Sequence, residues 1–513
     1  MAAETGKEKR TDCLRIEYNT WELRKKMKKL YAAAIGYLYL PMMIFLWGWT
    51  RAAVSVPVTV LTFAALYYCF KRITQNETEE FFFSKWELLL FFALAFGFFI
   101  FGGGGDLFYQ DFDWNKHHAI LYDLVRFKWP VVYQEDVLLT YYLGQYIVPA
   151  LIGKICGQSN VAALWAMTAW NALGLTIAYV LVCQYLKVKS VWKKTAVFFI
   201  ILLWGGAINL GSAIYQALGH DATLGSFKWL DSNRLLVHFA GNLDALRGAF
   251  QHVIVPWISC GIFMKNRKEY GIYVMLALPL FFTSTFGFVY YVGILLACFV
   301  WDLLVAKEKK PVLRSTFSFA NFALMALSIV ILIYLSGNFL QEKPWMMGWD
   351  LLNMFCRLDF YLIFIVVEFA GYMIFLFREK KKDILFYIIL GELLLIPFIS
   401  LGLYNDLCSR GGIPARFILM VWCIEQVFDY GWKNWRNFGI AVLFCFSAFN
   451  ALSEVDETVR NTMEYGIGAE GNIRLEWSSF DGWAGNPDVR VDNAYNYYTM
   501  NYSQHIFYKL ARK

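Results

Sequence analysis

Three carboxylates and two imidazoles lie within thirteen residues of the chain, directly after a long apolar run. They are Asp106, Asp111, Asp113, His117 and His118, and Lys116 lies among them. A carboxylate held beside a membrane can act as a general base, and a group of carboxylates can bind a divalent cation. The cluster therefore predicts acid–base chemistry or a cation site. The alternative is that Asp113 only caps a helix and the histidines are interface residues.

The residues after Asp113 carry an apolar stripe at helical spacing, which predicts a helix over about 114–126 with Asp113 as its cap. In such a helix Asp113 and His117 are neighbours one turn apart. This position makes Asp113 the first choice for the base, Asp111 the second, and Asp106 a further candidate. The four glycines before Asp106 fit no phosphate-loop spacing and predict a sharp backbone turn instead.

A second group of polar residues lies between two later apolar runs and contains Asn405, Asp406, Arg410 and Arg416. Pro414 suits the first turn of a helix, whose amino end would present unpaired N–H groups and a positive dipole. Such an end flanked by two guanidinium groups is a good phosphate or pyrophosphate site. The alternative is that both arginines bind anionic lipid headgroups.

Gln251 and His252 lie at the head of the apolar run 250–264, on the side of the chain predicted to carry both polar groups. They could contact the same substrate. Taken alone, each could equally be an interfacial anchor.

The composition of the chain indicates that membrane helices position these polar residues. Hydrophobic residues make up 58% of the 513 residues and charged residues only 17%, whereas soluble domains are about 45–50% apolar and about 25% charged. Apolar runs recur from end to end, which excludes an ordinary soluble enzyme, a disordered chain and a disulfide scaffold. The sequence predicts an all-α, polytopic membrane protein with interfacial helices and a small C-terminal lobe.

Thirteen spans are predicted: 30–49, 52–70, 86–101, 160–186, 194–211, 250–264, 271–284, 286–304, 316–336, 357–377, 384–403, 413–430 and 437–453. The segments between these spans alternate between the two sides of the membrane. The set that starts with residues 1–29 holds 29 of the 47 Lys and Arg residues. The positive-inside rule then places the N-terminus in the cytoplasm and the C-terminus outside, in a cell membrane.

Residues 137–153 are apolar enough for a short span, but a crossing there would invert every later basic connection. We therefore expect them to lie on the outer leaflet, within an outer loop over 102–159. Residues 30–453 form the membrane domain, 1–29 a basic cytoplasmic segment rather than a cleaved signal peptide, and 454–513 a small outer lobe.

With these parts in place, the chain resembles polytopic glycosyltransferases of the GT-C superfold, bacterial enzymes that use polyprenyl-phosphate-linked sugars. The stretch DWNKHHAILYDL at 113–124 is similar to a signature of little-studied membrane proteins of that kind. The stretches YYLGQY at 141–146 and PAL at 149–151 resemble their interfacial helix, and NDLCSRGGIP at 405–414 resembles a late-loop motif. The likeness is one of topology over most of the chain and of motif over about 40 residues.

The resemblance implies sugar transfer on the outer membrane face, with inversion at the sugar. A loop aspartate would deprotonate a hydroxyl of a glycan or lipid acceptor, and arginines would stabilise the departing polyprenyl phosphate. The partners implied are this donor, the acceptor and membrane lipids, with no nucleic acid. A divalent cation at the acidic loop is the one cofactor that the residues suggest.

Two other functions stay open. Glu368, Glu392 and Glu425 fall inside predicted spans, where ionisable residues are costly and face the bundle interior. They could be neutral, hydrogen-bonded structural groups. They could instead serve a transporter or flippase that moves an anionic lipid or solute, although we find neither repeat halves nor paired broken spans. The chain could also be a non-catalytic assembly subunit with the same fold.

Overall fold

The computed structural model of the chain describes residues 2–75, 79–111, 113–220, 229–230, 236–339, 350–351, 358–401, 405–431, 434–467, 479–481 and 497–512. Helices dominate these residues, as the apolar composition predicts. In chain order they are α1 Ala2–Trp49, α2 Ala52–Thr74, α3 Lys85–Phe101, α4 Asp113–Arg126, α5 Ile147–Ile155, α6 Asn160–Tyr185, α7 Val191–Leu203, α8 Ile208–Ala217, α9 Asn242–Gly248, α10 Ile254–Lys265, α11 Tyr273–Thr283, α12 Thr285–Val305, α13 Lys309–Thr316, α14 Phe319–Phe339, α15 Leu358–Ile365, α16 Gly371–Lys380, α17 Ile384–Leu395, α18 Asp406–Gly411, α19 Ile413–Tyr430 and α20 Trp435–Tyr465.

Short strands join distant parts of the chain. They are β1 Val132–Tyr133, β2 Val137–Leu139, β3 Trp229–Leu230, β4 Leu236–Val237, β5 Asp350–Leu351, β6 Ile399–Ser400 and β7 Tyr498–Thr499. The strands β1, β2 and β7 form one antiparallel sheet in that order, while β3 pairs with β4 and β5 with β6. The first sheet matters most here, because it attaches the C-terminal segment to the loop that carries the acidic residues.

Among the described residues, seven helices are long and apolar enough to cross a membrane. They are Lys26–Trp49, Ala52–Thr74, Asn160–Tyr185, Thr285–Val305, Lys309–Phe339, Leu358–Lys380 and Trp435–Tyr465. The chain is thus an all-α membrane protein. A bent pair, α7 with α8, meets at 48° and makes an eighth candidate if it forms one span, so the predicted run 194–211 is broken rather than continuous.

The remaining predicted spans correspond to helices that are shorter or that carry more charge. Helices α10 and α11 have 12 and 11 residues, and nearly all of their side chains are buried. An apolar run of that length cannot be assigned from sequence, since a helix enclosed by other helices has the same composition as a membrane span. The count of thirteen therefore stays a prediction.

The basic connections lie at one face of the bundle, which we call the basic face. Lys265 pairs with Glu79 at 2.7 Å and Lys189 with Glu80 at 3.4 Å. Further contacts add Arg72–Glu269, Arg72–Ser315, Arg267–Asp383 and Arg436–Glu379. Within the described part of the chain, these contacts join six of the seven segments that the charge pattern assigns to one side.

The opposite face carries the acidic loop and the C-terminal segment, and we call it the loop face. Thr50, in the turn between α1 and α2, bridges to Ala511, while β7 pairs with β2. The Asp123 carboxylate of α4 accepts hydrogen bonds from the Phe480 backbone and from the hydroxyl groups of Tyr133 and Ser479. The described residues 479–481 and 497–512 thus pack onto the acidic loop and the turn between α1 and α2.

Residues 137–153 form no membrane-spanning helix. They contain β2, a 3₁₀ turn at Leu143–Gln145 and most of α5, whose nine residues are far too short to cross a bilayer. Lys154 of α5 donates hydrogen bonds to the Val125 and Phe127 carbonyl groups, so both ends of the segment lie on the loop face. Five of the nine residues of α5 are buried, whereas Ile152 and Ile155 are exposed, so one side of the helix packs on the protein and its position on the outer leaflet stays a prediction.

Candidate functional site

The acidic loop begins with the glycine run after α3, which turns the backbone as the sequence predicts. Gly103 and Gly105 have φ angles of 100° and 71°, in the region that favours glycine. A side chain at Gly103 would also begin 2.9 Å from atoms of Gln110 and Trp114. The glycines therefore let the loop fold back tightly over the start of α4.

Asp111 caps α4, a role that the sequence analysis gave to Asp113. Asp113 is the first residue of the helix, and its N–H donates a hydrogen bond of 3.0 Å to Asp111 Oδ1. The helix boundaries otherwise match the predicted 114–126 closely. The difference frees Asp113 to pair with Lys116, whose Nζ lies 2.6 Å from Asp113 Oδ1.

The second oxygens of the two carboxylates meet at Gly248, the last residue of α9. A side chain at Gly248 would begin 3.1 Å from Asp111 Oδ2 and 3.3 Å from Asp113 Oδ2. Arg247 lies beside them, with its Nη2 atom 3.7 Å from Asp111 Oδ2. The glycine thus leaves room next to two converging carboxylate oxygens.

The two carboxyl groups differ in basicity. Burial raises the pKa of Asp111, the negative charge of Asp113 raises it further, and Arg247 and Lys116 only partly oppose this. Burial also raises the pKa of Asp113, but Lys116 and Arg410 outweigh it and lower that pKa to about 2. Paired carboxyl groups with opposite pKa shifts are typical of sites that divide acid and base roles. Asp113 is firmly ionised, and Asp111 is the stronger base.

His117 is buried with both ring nitrogens engaged. A carbonyl can only accept, so Nε2–H donates to the Gly248 carbonyl at 3.0 Å, and Nδ1 accepts from the Tyr146 hydroxyl at 2.7 Å. Burial and then the charge of Lys116 lower the pKa of His117 to about 3. The imidazole is therefore neutral and fixes Gly248 in place.

His118 and Asp106 belong to a neighbouring network. The His118 Nε2 atom lies 3.0 Å from Gln110 Oε1, and the Gln110 amide donates to the Gly103 carbonyl at 2.7 Å. Burial lowers the pKa of His118, and the charge of Asp106 opposes that shift. This network fastens the glycine turn to α4.

Arg410, at the end of α18, is the cation of the second polar group. Its Nη2 lies 3.1 Å from Asp406 Oδ1, and its Nη1 lies 3.3 Å from His252 Nε2. A guanidinium can only donate, so His252 accepts through Nε2 and directs Nδ1–H to Ser284 Oγ at 3.0 Å. Because Nε2 accepts from Arg410, the His252 imidazole is neutral, so it orients Arg410 without competing for an anion.

One short turn joins the two polar groups. In the 3₁₀ turn Phe250–His252, the Phe250 ring stacks on His117 with centroids 4.5 Å apart, while His252 contacts Arg410. The structure thus brings Asp111, Asp113 and Arg410 together on the loop face, although they are about 300 residues apart in sequence.

Tyrosines line the region between the carboxylates and Arg410. The rings of Tyr141 and Tyr142 are 4.6 Å apart, and Tyr497 of the C-terminal segment lies 4.8 Å from Tyr141. Burial raises the pKa of Tyr497, the Asp113 carboxylate raises it further, and Arg410 lowers it. Tyr497 thus lies within electrostatic reach of both charges, so the C-terminal segment contributes directly to this site.

Three other predicted ligands have different surroundings. Arg416 is buried, donates to the Ala240 carbonyl at 2.6 Å and covers the Phe239 ring, so it does not join Arg410. Asn405 caps α18 by accepting from the Cys408 N–H. Gln251 is fully buried, and neither atom of its amide has a hydrogen-bond partner among the described residues.

The residues do not fit a divalent cation at the acidic loop. Within the part of the chain that the structure describes, no group of three His, Cys, Asp or Glu side chains is arranged to hold a metal ion. Lys116 and Arg247 instead place positive charge beside Asp113 and Asp111.

Gly248 is a site residue that sequence reasoning missed, since nothing near it marks it in the sequence. Arg247 lies in the loop 212–249, where the sequence alone predicts either an outward polar group facing the same cavity or an interfacial anchor. The sequence pattern that could have indicated a buried polar partner for α20 is the spacing of Glu454, Thr458 and Thr462. These residues recur every four positions, and all of them are buried. A polar stripe at that spacing predicts a helix face turned toward polar groups.

A small cavity of about 30 Å³ lies beside this site and is not lined by Asp113 or Arg410. Its wall includes the break between α7 and α8 at Gly205 and Gly206, together with Asp244, Glu368 and Glu454. Glu368 sits in a π-helical turn, Val366–Ala370, between α15 and α16. The predicted mid-span glutamate therefore faces the bundle interior.

No protein-family model, curated protein or solved structure matches the chain.

Gly248 gives a sharp test of the site because alanine adds only one methyl group there. We expect Gly248→Ala to lower the rate of any reaction at this site by about 10–100-fold, because the methyl group would displace one of the two carboxylates. The thermal unfolding midpoint should change little, since alanine favours a helix. Gly293→Ala is the matched control, because no atom lies within 4 Å of an added methyl group there. Equal activity in both variants would show that the space at Gly248 is not used.

Proposed function

We propose that the chain is a membrane glycosyltransferase that moves a sugar from a polyprenyl-phosphate-linked donor to a glycan or lipid acceptor. The observation that carries this proposal is the 3₁₀ turn Phe250–His252, which holds a carboxylate pair and a buried guanidinium in one site. Sugar transfer from a phosphate-linked donor needs these two parts, a base for the incoming hydroxyl and a cation for the departing phosphate.

Asp111 is the proposed base. Its Oδ2 atom faces the space at Gly248, whereas Asp113 is paired with Lys116 and has a pKa too low for effective proton uptake at neutral pH. The acceptor hydroxyl gives its proton to Asp111, and its oxygen forms the new bond to the anomeric carbon. The bond from that carbon to the phosphate oxygen breaks, and its electron pair leaves with polyprenyl phosphate. Attack opposite the leaving group inverts the anomeric centre.

Arg410 binds the phosphate of the donor. It lies within electrostatic reach of Asp113, and His252 directs its guanidinium. A planar guanidinium can donate two parallel hydrogen bonds to a phosphate, which both orients the donor and stabilises the leaving charge. Asp406 pairs with Arg410 in the structure, so we expect the phosphate to compete with it.

In this proposal the chain crosses the cell membrane thirteen times, with the basic face in the cytoplasm and the loop face outside. The basic face holds most of the positive connections, which favours that orientation. Nucleotide sugars are not available outside the cell, so a lipid-linked donor is the reasonable choice for a site on the loop face.

The orientation can be measured with thiol labelling in intact cells. Cys156, which is exposed on the loop face, should react with a membrane-impermeant thiol reagent. A cysteine introduced at the exposed Lys307 should react only after the membrane is permeabilised. A cysteine introduced at exposed Gln504 should behave like Cys156, because the C-terminal segment packs on the same face. If the reagent labels position 307 but not position 504 in intact cells, the orientation is the opposite of the one proposed.

Transport of an anionic lipid or solute is the second candidate. The cavity at the α7–α8 break favours it, because broken helices and buried glutamates are typical of transporter sites. The two functions predict different fates for a labelled lipid. A transporter moves the lipid across the bilayer intact, whereas a glycosyltransferase cleaves the sugar from it.

Binding of a labelled polyprenyl-phosphate sugar to the purified chain tests the proposal first. Wild type should bind this donor, and inorganic phosphate in excess should compete with it. Failure of wild type to bind any such donor would remove the proposed donor and leave transport of another anionic lipid or solute, or an assembly-subunit function.

A further inference from the structure

We propose that Arg247 is a positioning residue for Asp111, and that it holds the acidic loop against the loop-face end of α20. This inference rests on the proposed function, in which Asp111 takes the proton of the acceptor hydroxyl. It assigns a role to a residue that touches neither substrate nor the departing phosphate.

The two ends of the Arg247 guanidinium have different partners. Nη1 is bound to α20 by contacts of 3.0 Å to the Glu454 carbonyl, 3.1 Å to Glu454 Oε2 and 2.8 Å to Thr458 Oγ1. Nη2 lies 3.6 Å from Glu457 Oε2 and 3.7 Å from Asp111 Oδ2. Only 4% of the side chain is exposed, so this geometry is fixed by its surroundings.

The acidic loop contacts α20 at a second point as well. The Tyr109 N–H donates a hydrogen bond of 3.0 Å to Thr462 Oγ1, one helical turn beyond Thr458. The polar stripe of α20 therefore supports both Arg247 and the backbone just before Asp111. Arg247 lies between α20 and Asp111 and contacts both. The position of α20 therefore determines the position of the Asp111 carboxylate.

The long contact to Asp111 suits a base. At 3.7 Å, Arg247 stabilises the ionised carboxylate by charge without donating a normal hydrogen bond to it. The Oδ2 atom therefore keeps a lone pair for the acceptor proton. A lysine in place of Arg247 would be a point charge, and it could not reach α20 and Asp111 with separate donors.

Several charged or titratable groups face Asp111 and act on it together. They are Asp113 and Lys116 from α4, Arg247 from α9, Glu454 and Glu457 from α20, and Tyr109 from the loop. Arg247 is the cation nearest Asp111 Oδ2 that also contacts α20. Removing its charge should therefore favour the protonated form of Asp111.

The test compares Arg247→Met and Arg247→Lys with Arg460→Met. Arg460 is a matched control, because it is an exposed arginine of α20 that pairs with Asp456. We expect Arg247→Met to lower the transfer rate by about 10–100-fold while donor affinity changes by less than about threefold. The acidic limb of its pH–rate profile should move to higher pH, since transfer stops when Asp111 becomes protonated. Arg247→Lys should recover part of the rate, and Arg460→Met should match wild type.

A folded Arg247→Met variant with the wild-type rate and pH profile would overturn the inference. A second readout does not depend on transfer activity: a carbodiimide reacts with protonated carboxyl groups, and peptide mass spectrometry reports its attachment to Asp111. Arg247→Met should increase attachment at neutral pH, and unchanged attachment would contradict the inference. If attachment increases but wild type transfers no sugar, the positioning role holds and the proposed function fails.

Discussion

Replacing Asp111 by Asn is expected to lower sugar transfer by about 10²–10⁴-fold, the usual effect of removing a general base. Asn keeps the shape of the side chain and caps a helix about as well as Asp, so α4 should remain in place. Donor binding should survive, because Arg410 is untouched. The measurement is the single-turnover rate of transfer from a saturating polyprenyl-phosphate sugar, with thermal unfolding as the folding control.

The neighbouring aspartates provide the comparison. Asp113→Asn removes the negative charge that helps raise the pKa of Asp111, so its pH–rate profile should move to lower pH with a smaller loss of rate. Asp106→Asn should have little effect, because Asp106 acts on His118. Full activity of Asp111→Asn together with a collapse of Asp113→Asn would return the base to Asp113.

Replacing Arg410 by Ala is expected to weaken donor binding by about 10–150-fold, since a hydrogen bond to a charged group contributes roughly 1.5–3 kcal/mol. Arg410→Lys should recover only part of the affinity, because a point charge cannot grip two phosphate oxygens. The measurement is equilibrium binding of the labelled donor to the purified chain in lipid nanodiscs.

Two other arginines serve as controls for that experiment. Arg126→Ala removes an exposed guanidinium from the same face and should leave donor affinity unchanged. Arg416→Ala removes a buried guanidinium that contacts Ala240, so it should lower thermal stability without a specific loss of donor affinity. Equal donor affinity in wild type and Arg410→Ala would show that the phosphate binds elsewhere.

The arrangement of the bundle was largely predictable because it depends on composition and charge. The long apolar runs became helices, and the connections rich in Lys and Arg came together through pairs such as Lys265–Glu79. Residues 137–153 stayed on the loop face, as the charge of the connection after α6 required. The number of spans was less predictable, because short buried helices such as α10 and α11 have the same apolar composition whether they cross a membrane or are enclosed by other helices.

The site was predictable as a pair of regions but not in its connections. Asp111, Asp113 and Arg410 were identified from residue type and position, and the structure brings them together. Their relative roles depend on distances that no spacing rule gives, such as the 2.6 Å pairing of Lys116 with Asp113. Arg416 shows the same limit, because a helix start that looks suited to an anion is covered by Phe239 and Ala240.

The most direct test of the central proposal is the release of polyprenyl phosphate from a labelled polyprenyl-phosphate sugar by the purified chain, with membrane glycans and lipids supplied as acceptors. We expect release by wild type, with inversion at the sugar, and little release by Asp111→Asn even though that variant binds the donor. No release by wild type from any such donor, or equal release by Asp111→Asn, would contradict a glycosyltransferase site built on Asp111 and Arg410.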